Sequence, residues 1–312
     1  MSYWLIGSGP MCQEHAKVLS AQKVDFTVIG RGEKSALEFE QKTGKKVIAG
    51  GLENFLKSKP PLPDGVIIGV GVEQLKLTTL QALDYGISNV LLEKPGGIDL
   101  QEIMDVEAAS RNRKAHVLLG YNRRFYSSVL KAREMIQDDD GVTSFNFEFT
   151  EWSHEIEKLE KPRKALENWF LANSTHVVDM AFFMGGTPKE LKSFTSGSLN
   201  WHPASCVFAG SGISENGALF SYSANWNAPG RWGVEMLTKN YRFIFRPLEK
   251  LQIQKKGTVA IVEITLDDSL DKDYKPGLYR QAKAFLGKNF SSFCNIEMQT
   301  QNCKWYKLIS GY

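Results

Sequence analysis

Short apolar runs alternate with amphipathic segments over the first 120 residues of the chain. The apolar runs are Tyr3–Ile6, Phe26–Ile29, Val66–Val70, Val90–Leu92 and His116–Leu119. The segments with helical periodicity between them are Gln13–Ala21, Ser35–Lys42, Gln74–Tyr85 and Leu100–Asn112. Continuous apolar strands separated by helices are typical of a parallel sheet that is covered on both faces. The pattern predicts a doubly wound α/β domain over residues 1–120.

The pattern changes after a boundary near Gly120-Tyr121. Phe145, Phe147 and Phe149 alternate with polar residues, which predicts a strand with one buried face. One helical insertion is predicted at about Leu166–Met184, ending at two glycines. The further predicted strands are Ala218–Asn225, Val234–Thr238, Arg242–Arg246, Leu251–Lys255 and Val259–Thr265, and the further predicted helices are Tyr279–Leu286 and Glu297–Ile309. Short strands joined by turns indicate a second α/β domain over residues 121–312, with an antiparallel or mixed sheet.

Composition narrows the class of protein. The 312 residues carry a formal net charge of +3, which is too small to indicate a nucleic-acid-binding protein. The longest apolar run, Val66–Val72, is too short to cross a bilayer. The four scattered cysteines have neither disulfide-framework nor metal-site spacing, and no metal ligand set is predicted. We therefore expect a soluble, cytoplasmic protein with reduced thiols, no membrane contact and no nucleic-acid partner.

A glycine-rich turn follows the first predicted strand. Gly7 permits a tight turn, and Gly9 would let the backbone approach a pyrophosphate at the N-terminus of the next helix. Cys12 occupies the third position of this fingerprint, where glycine is usual. An ordinary tight turn is the alternative interpretation, but the position after the first strand of a βαβ unit favours a dinucleotide site.

Arg31 follows the second predicted strand, at the position that distinguishes the two nicotinamide dinucleotides. An acidic residue there accepts hydrogen bonds from the adenosine ribose, whereas arginine suits a 2′-phosphate. Glu33 comes two residues later and is expected to face solvent. The sequence favours NADP over NAD, and a solvated surface arginine is the alternative.

Two later segments carry candidate chemistry. Lys94 ends a buried strand and precedes Pro95, which leaves its ammonium at the ligand-binding edge of the sheet. Arg123 and Arg124 follow the fifth strand. Adjacent arginines are usually surface charges, so we expect at least one of them to face solvent and the other to be a candidate for the substrate site.

Three polar residues are spaced by three on the predicted helical insertion. Asn173, His176 and Asp179 would share one helix face. A histidine exchanges protons near neutral pH, and a nearby carboxylate can orient its ring. The alternative is a structural histidine on a buried helix.

The ordered set of motifs resembles one family of nicotinamide-dependent oxidoreductases. The Gly-x-Gly turn, Glu93-Lys94-Pro95, the run 120–125 and His176-x-x-Asp179 occur in the order and spacing of the Gfo/Idh/MocA family. The resemblance covers essentially the whole chain. It implies a Rossmann domain, a C-terminal α/β domain with a large open, mostly antiparallel sheet, and homodimers or homotetramers built on that sheet. It also implies oxidation or reduction of a hydroxyl on a sugar, sugar nucleotide or cyclitol.

The resemblance assigns roles by position. Lys94 and His176 match the family's catalytic lysine and histidine, and both would also bind substrate. Arg124 and Asn173 would bind substrate as well. The residues implied in binding NADP or NAD are Gly7, Gly9, Pro10, Met11, Arg31, Gly69, Val70, Gly71, Glu93, Lys94 and Asn122.

The chain departs from the family pattern at two places. Ala172 stands where many members have an aspartate, four residues before the histidine. The loop after the third cofactor-binding strand reads Val70-Gly71-Val72, followed by Leu75, in place of the usual Thr-Pro-Asn and a later histidine. The leading hypothesis is an NADP-dependent oxidoreductase, and the alternative is a catalytically silent, dinucleotide-bound sugar sensor or regulatory subunit.

Overall fold

A computed structural model describes residues 2–312 of the chain. Its strands are β1 Ser2–Ile6, β2 Asp25–Ile29, β3 Val47–Ile48, β4 Gly65–Ile68, β5 Asn89–Leu92, β6 His116–Leu119, β7 Ser144–Glu148, β8 Pro188–Ser196, β9 Val207–Ser214, β10 Leu219–Asn225, β11 Gly233–Leu237, β12 Tyr241–Phe245, β13 Gln252–Lys255, β14 Ile261–Glu263 and β15 Cys294–Asn295. Its α-helices are α1 Pro10–Ala21, α2 Glu33–Thr43, α3 Gly51–Lys57, α4 Leu75–Asp84, α5 Leu100–Arg113, α6 Ser127–Gln137, α7 Ser153–Ile156, α8 Arg163–Glu167, α9 Thr175–Gly185, α10 Ser269–Asp273, α11 Leu278–Leu286 and α12 Ile296–Ser310. Short 3₁₀ helices cover Val72–Gln74 and Asn122–Phe125, and a π-helical segment covers Phe170–Ser174.

The first sheet is parallel apart from one short edge strand. Its seven strands run in the order β15-β6-β5-β4-β1-β2-β3, and β15 pairs antiparallel to β6. Val66, Ile67 and Ile68 of β4 are all buried, as expected for a strand that is covered on both faces. The predicted doubly wound fold of the N-terminal part is confirmed.

Internal contacts divide the chain into two compact units, and the first of them is discontinuous. It joins the residues up to Asn122 with Leu270–Thr300, and the second joins Arg123–Ser269 with Gln301–Tyr312. The sequence pattern instead predicts a single second domain over residues 121–312. Residues 270–300 lie with the first unit because α11 packs against α1 through a buried cluster of Val18, Leu278 and Ala282, and because β15 extends the parallel sheet.

The second sheet is mostly antiparallel, as predicted. Its eight strands run in the order β14-β13-β12-β11-β7-β10-β9-β8, and β7 and β10 form its parallel pair. Phe145 and Phe147 of β7 are buried and alternate with half-buried polar residues. Helix α9 packs on this face, where the Phe147 and Phe182 rings meet edge to face at 5.8 Å. An added Cβ at Gly185 would overlap the Phe145 ring, which explains why α9 ends on a glycine there.

The helical insertion differs from the prediction. The periodicity predicts one helix over about Leu166–Met184, whereas the chain forms α8, the π-helical segment Phe170–Ser174 and then α9. Side chains of the π-helical segment form hydrogen bonds to Glu151, another part of the second unit. Eight further elements were not predicted from the sequence, namely β3, α3, α6, α7, β8, β9, α10 and β15.

Among residues 2–312, no helix combines the length and the apolar character that crossing a membrane requires. The four cysteines are free and buried.

Candidate functional site

The turn between β1 and α1 requires its first glycine. Gly7 has φ +120°, and an added Cβ would lie 2.8 Å from both the Gly69 carbonyl oxygen and the Cys12 Sγ. No other residue type fits this conformation and this close approach. Gly7 therefore brings the ends of β1 and β4 together beside the start of α1.

The N-terminus of α1 is open. Pro10 takes the first helical position, and no side chain caps the helix. A Cβ at Gly9 would meet nothing within 4 Å, so there is open space beside this glycine. The backbone N–H groups of a first helical turn have no partner within the helix. Those of Met11 and Cys12 are thus placed to bind an anionic group, and this end of the sheet fits a dinucleotide pyrophosphate.

A cavity of about 510 Å³ lies at the carboxyl ends of β1, β2 and β4. This edge of an open α/β sheet is where nucleotides bind. Its lining comes from the last residues of β1 and β2, the turns after β1, β2, β3 and β4, the 3₁₀ helix Val72–Gln74, and α2, α3 and α4. The residues are Ile6, Gly7, Ser8, Gly9, Ile29, Arg31, Gly32, Ser35, Gly50, Gly51, Leu52, Glu53, Gly69, Val70, Gly71, Glu73, Gln74, Leu77, Thr78 and Gln81.

Cys12 occupies the third position of the glycine fingerprint and contacts the end of β4. The thiol donates a hydrogen bond to the Gly69 carbonyl at 3.3 Å, so the larger side chain joins α1 to the end of β4. Burial, reinforced by the nearby Glu93 carboxylate, raises the pKa of Cys12 above its ordinary value. The thiol therefore stays neutral and serves packing.

Arg31 lines the cavity, and its role in cofactor binding stays a prediction. Its side chain is exposed, and it forms no ion pair with a carboxylate within residues 2–312. Glu53 and Glu73 supply negative charge elsewhere in the lining. The guanidinium is thus available to an anion that enters the cavity.

The Glu93-Lys94-Pro95 segment leaves the end of β5 and is held from two sides. The Glu93 carboxylate lies 3.4 Å from the Nε2 of buried His15. On the other side, the Gln299 amide donates to the Pro95 carbonyl at 3.0 Å and also contacts the Tyr121 hydroxyl at 3.0 Å. These contacts fix the backbone on which Lys94 sits.

Asn122 is buried and has a structural contact. Its amide donates to the Pro276 carbonyl at 2.9 Å. This hydrogen bond joins the end of β6 to the segment that returns to the first unit. The predicted role of Asn122 in cofactor binding stays a prediction.

His176 lies buried in the first turn of α9, and its ring centroid is 6.2 Å from that of Trp232. Asp179 does not orient this ring, which corrects the expectation from the helix spacing. Its two carboxylate oxygens accept hydrogen bonds from Arg124 Nε at 2.8 Å and Nη2 at 2.6 Å. A bidentate pair with arginine uses the carboxylate more completely than a single bond to imidazole would.

Neither arginine of the adjacent pair is fully exposed, in contrast to the expectation of one surface charge; Arg123 is half-buried and Arg124 is buried. Arg124 is only 3% exposed and pairs with Asp179. Arg123 has its Nε buried, and its guanidinium lies 4.8 Å from the centre of the Trp232 ring. Burial lowers the pKa of Arg123 below its ordinary value, and the nearby positive charge of Arg231 adds to that effect.

Sequence reasoning missed Glu151, which stands in the turn after β7. Its carboxylate accepts hydrogen bonds from the Asn173 amide at 3.0 and 3.1 Å and from the Ser174 hydroxyl at 2.7 Å. Burial raises the pKa of Glu151 above its ordinary value, while these donors partly oppose the shift. Ala172 cannot supply the carboxylate of the usual aspartate. The Glu151 carboxylate, which comes from a different part of the chain, instead binds the next two residues, Asn173 and Ser174. No local pattern signals this, because 22 residues separate Glu151 from Asn173.

A second cavity, of about 950 Å³, adjoins Glu151 in the second unit. Trp201 and Trp226 stack in its wall with centroids 5.6 Å apart. Trp152 is half exposed and donates to the Gly230 carbonyl at 3.0 Å. Aromatic faces and polar groups around a concave space suit a polyhydroxylated ligand.

Several solved structures have a similar fold over nearly the whole length of this chain. A levoglucosan dehydrogenase in complex with NADH and levoglucosan has a TM-score of 0.81 at 18% identity, covering 100% of this chain and 97% of that one. A structure described as a putative NADPH-dependent oxidoreductase from Desulfitobacterium hafniense has a TM-score of 0.80 at 16% identity, covering 99% and 94%. A UDP-N-acetylglucosamine 3-dehydrogenase from Acidithiobacillus ferrooxidans has a TM-score of 0.76 at 15% identity, covering 99% and 96%. These likenesses show a shared fold.

The sequence comparisons bear on the N-terminal part. No curated protein matches the sequence. Residues 1–121 match the model of an oxidoreductase family with an NAD-binding Rossmann fold, Gfo/Idh/MocA. This match over residues 1–121 identifies the N-terminal part as a Gfo/Idh/MocA-type NAD-binding domain and confirms the resemblance seen in the motifs.

Proposed function

We propose that this protein oxidises or reduces a hydroxyl or keto carbon of a sugar, sugar nucleotide or cyclitol, with a bound nicotinamide dinucleotide accepting or donating the hydride. The observation that carries the proposal is the 510 Å³ cavity, where the glycine turn and the uncapped start of α1 meet. Similar folds in a levoglucosan dehydrogenase and a UDP-N-acetylglucosamine dehydrogenase support the substrate class.

We further propose NADP as the preferred cofactor, with NAD as the alternative. Arg31 lines the cavity without a carboxylate partner, which favours a ligand with a 2′-phosphate. Ser8 and Ser35 share a hydrogen bond of 2.9 Å in the same wall and offer neutral hydroxyls there. Solved structures with this fold carry both cofactor names in their descriptions.

In this proposal Lys94 and His176 perform the chemistry. The Lys94 ammonium stabilises the negative charge that develops on the substrate oxygen as its proton leaves, a preorganised electrostatic contribution. His176 takes that proton in oxidation and returns it in reduction. Arg124 is a positioning residue. Its bidentate hydrogen bonds fix Asp179, which lies one helical turn after His176.

The alternative is a dinucleotide-bound sensor or regulatory subunit without turnover. Ala172 favours it, because the usual aspartate is missing. Lys94 and His176 oppose it, as does the Glu151 carboxylate held by Asn173 and Ser174. The expected self-association is a further proposal, supported by Phe194 and Leu219, which are 73% and 62% exposed on strands of the second sheet.

A screen of sugars and sugar nucleotides, followed by cofactor absorbance, tests the proposed function. With a confirmed substrate, we expect His176→Ala to lose about 10²- to 10⁴-fold in rate, as for a positioned general acid or base, while its cofactor affinity is unchanged. Lys94→Ala should also lose rate with little change in melting temperature. The exposed His116 provides a control, since His116→Ala should retain full rate.

Two results would contradict the proposal. Tight cofactor binding without turnover of any substrate would favour the sensor. Full turnover by His176→Ala would remove the histidine from the chemical step, and its unfolding would mark a structural histidine.

A further inference from the structure

Two arginines and three aromatic rings form a continuous stack in the second unit. The Arg231 guanidinium lies 4.7 Å from the centre of the Trp152 ring and 5.2 Å from that of Trp232. The Arg123 guanidinium lies 4.8 Å from the Trp232 ring and 5.9 Å from the Tyr126 ring. Arginine packed on a ring keeps its orientation, and its N–H donors point outward from the edge of the guanidinium plane.

Neither guanidinium has a hydrogen-bond acceptor or an ion-pair partner within residues 2–312. The buried Arg123 Nε is an orphaned donor, and only the backbone N–H of Arg231 bonds to protein, at Glu148. Glu151 and Glu249 act on Arg123 through electrostatics without forming an ion pair. The buried Arg123 Nε without an acceptor destabilises the fold, and two unpaired cations on one ring repel each other.

Arg124 and Arg133 show that the arrangement is specific to this pair. Arg124 also stacks on an aromatic ring, that of Phe183, but it is neutralised by Asp179. Arg133 stacks on the same Phe183 ring at 4.4 Å, away from Trp232. The unneutralised pair is thus the one that shares Trp232, the ring beside His176.

We propose that Arg123 and Arg231 bind an oxyanion carried by the substrate, so that the preferred substrate is a sugar bearing a carboxylate or phosphate group. Guanidinium forks match both groups in geometry and charge. The position beside Trp232 places the anion near the proposed proton-exchanging histidine, and Trp152 extends the stack to the rim of the 950 Å³ cavity. This inference rests on the proposed function for the sugar part of the ligand.

Calorimetric titration of the full-length protein tests the inference without requiring turnover. The probes are glucose, glucose 6-phosphate, glucuronate and inorganic phosphate. We expect at least one anionic probe to bind about tenfold or more tightly than glucose, as a charge-assisted contact allows. The phosphate and carboxylate probes separate the two sources of the anion.

Substitutions then assign the preference to residues. Arg123→Met keeps the apolar contact with Trp232, Arg231→Gln removes an exposed charge, and both should abolish the preference for the anionic sugar. Arg133→Met is the matched control, because it removes a stacked arginine outside the pair and should leave the preference unchanged. Should Arg123→Met fail to fold, Arg231→Gln still decides the question.

The inference is overturned if no anionic probe binds better than glucose, or if the preference survives both substitutions. Its failure is distinct from failure of the proposed function. Turnover of a neutral sugar with no effect of Arg231→Gln on KM would remove only the anion site. Absence of turnover with every sugar would contradict only the proposed dehydrogenase activity, since the titrations measure binding without turnover.

Discussion

Arg31 supplies positive charge to the wall of the 510 Å³ cavity, and we propose that this side chain selects NADP over NAD. We expect Arg31→Ala to weaken NADP binding about tenfold or more, because one charge-assisted contact contributes roughly 1.5–3 kcal/mol. NAD has no 2′-phosphate, so its affinity should barely change. Fluorescence titration with each cofactor measures both effects.

Lys34 is a suitable control for this experiment. It lies in the first turn of α2, three residues after Arg31, but outside the cavity wall. Lys34→Ala should leave both affinities unchanged. Equal losses for NADP and NAD in Arg31→Ala would show that Arg31 shapes the loop and does not select the cofactor.

Single residues were predictable from the sequence where their role is local. Gly7 could be assigned because its positive φ follows from a turn between adjacent elements. The partners of Asp179 and Arg123 could not, because neighbouring charges compete for the same contacts in three dimensions. Spacing on a helix places Asp179 near His176, yet Arg124 binds the carboxylate through two bonds.

At the scale of elements, Glu151 joins the end of β7 to the π-helical segment that leads into α9. Glu151→Gln retains the shape of the side chain but replaces one accepting oxygen with an amide donor. We expect misplacement of Asn173 to raise KM, and a smaller effect on kcat, because His176 lies beyond the anchored residues. Steady-state kinetics with a confirmed substrate separate these effects.

The same substitution should change how stability depends on pH. The raised pKa of Glu151 means that the folded chain keeps a proton that the unfolded chain releases above the ordinary value of 4.5. Stability from this group therefore falls as pH rises through that window. The stability of wild type relative to Glu151→Gln should fall with rising pH in urea denaturation. A constant difference would contradict the prediction, and exposed Glu155→Gln should have little effect on stability at neutral pH.

Elements were predictable in proportion to the strength of their own periodicity. The phenylalanine alternation of β7 identified a strand with one buried face. Strands β8 and β9 lie toward one edge of the sheet, and their mixed burial gives no clear alternation. The contacts of the π-helical segment could not be predicted for another reason. Its residues Asn173 and Ser174 bind Glu151, which lies outside the segment and follows β7.

At the scale of the whole molecule, the chain returns to its first unit after completing most of the second. The hydrophobic pattern of α11 predicted a helix, but its partner α1 lies more than 250 residues earlier. A linear pattern contains no information about such a pairing. A prediction with a single boundary near Gly120-Tyr121 therefore does not contain the return of Leu270–Thr300 to the first unit.

Gln299 lies on this returning segment and joins it to two other parts of the first unit. It is fully buried, and its amide binds the Pro95 carbonyl and the Tyr121 hydroxyl, both distant in sequence. We expect Gln299→Leu to lower the free energy of unfolding by about 2–4 kcal/mol, because buried polar groups lose their partner. The rate with a confirmed substrate should fall as well, since the backbone carrying Lys94 loses its support.

Gln299→Glu separates the two contacts, because a carboxylate still accepts from Tyr121 but, when ionised, cannot donate to Pro95. Urea denaturation should place wild type above both variants, since Gln299→Glu also buries a charge. If Lys94 depends on the Pro95 contact, both variants lose rate at temperatures where they remain folded. Full rate in a folded Gln299→Leu would show that residues 270–300 stabilise the first unit without positioning the lysine.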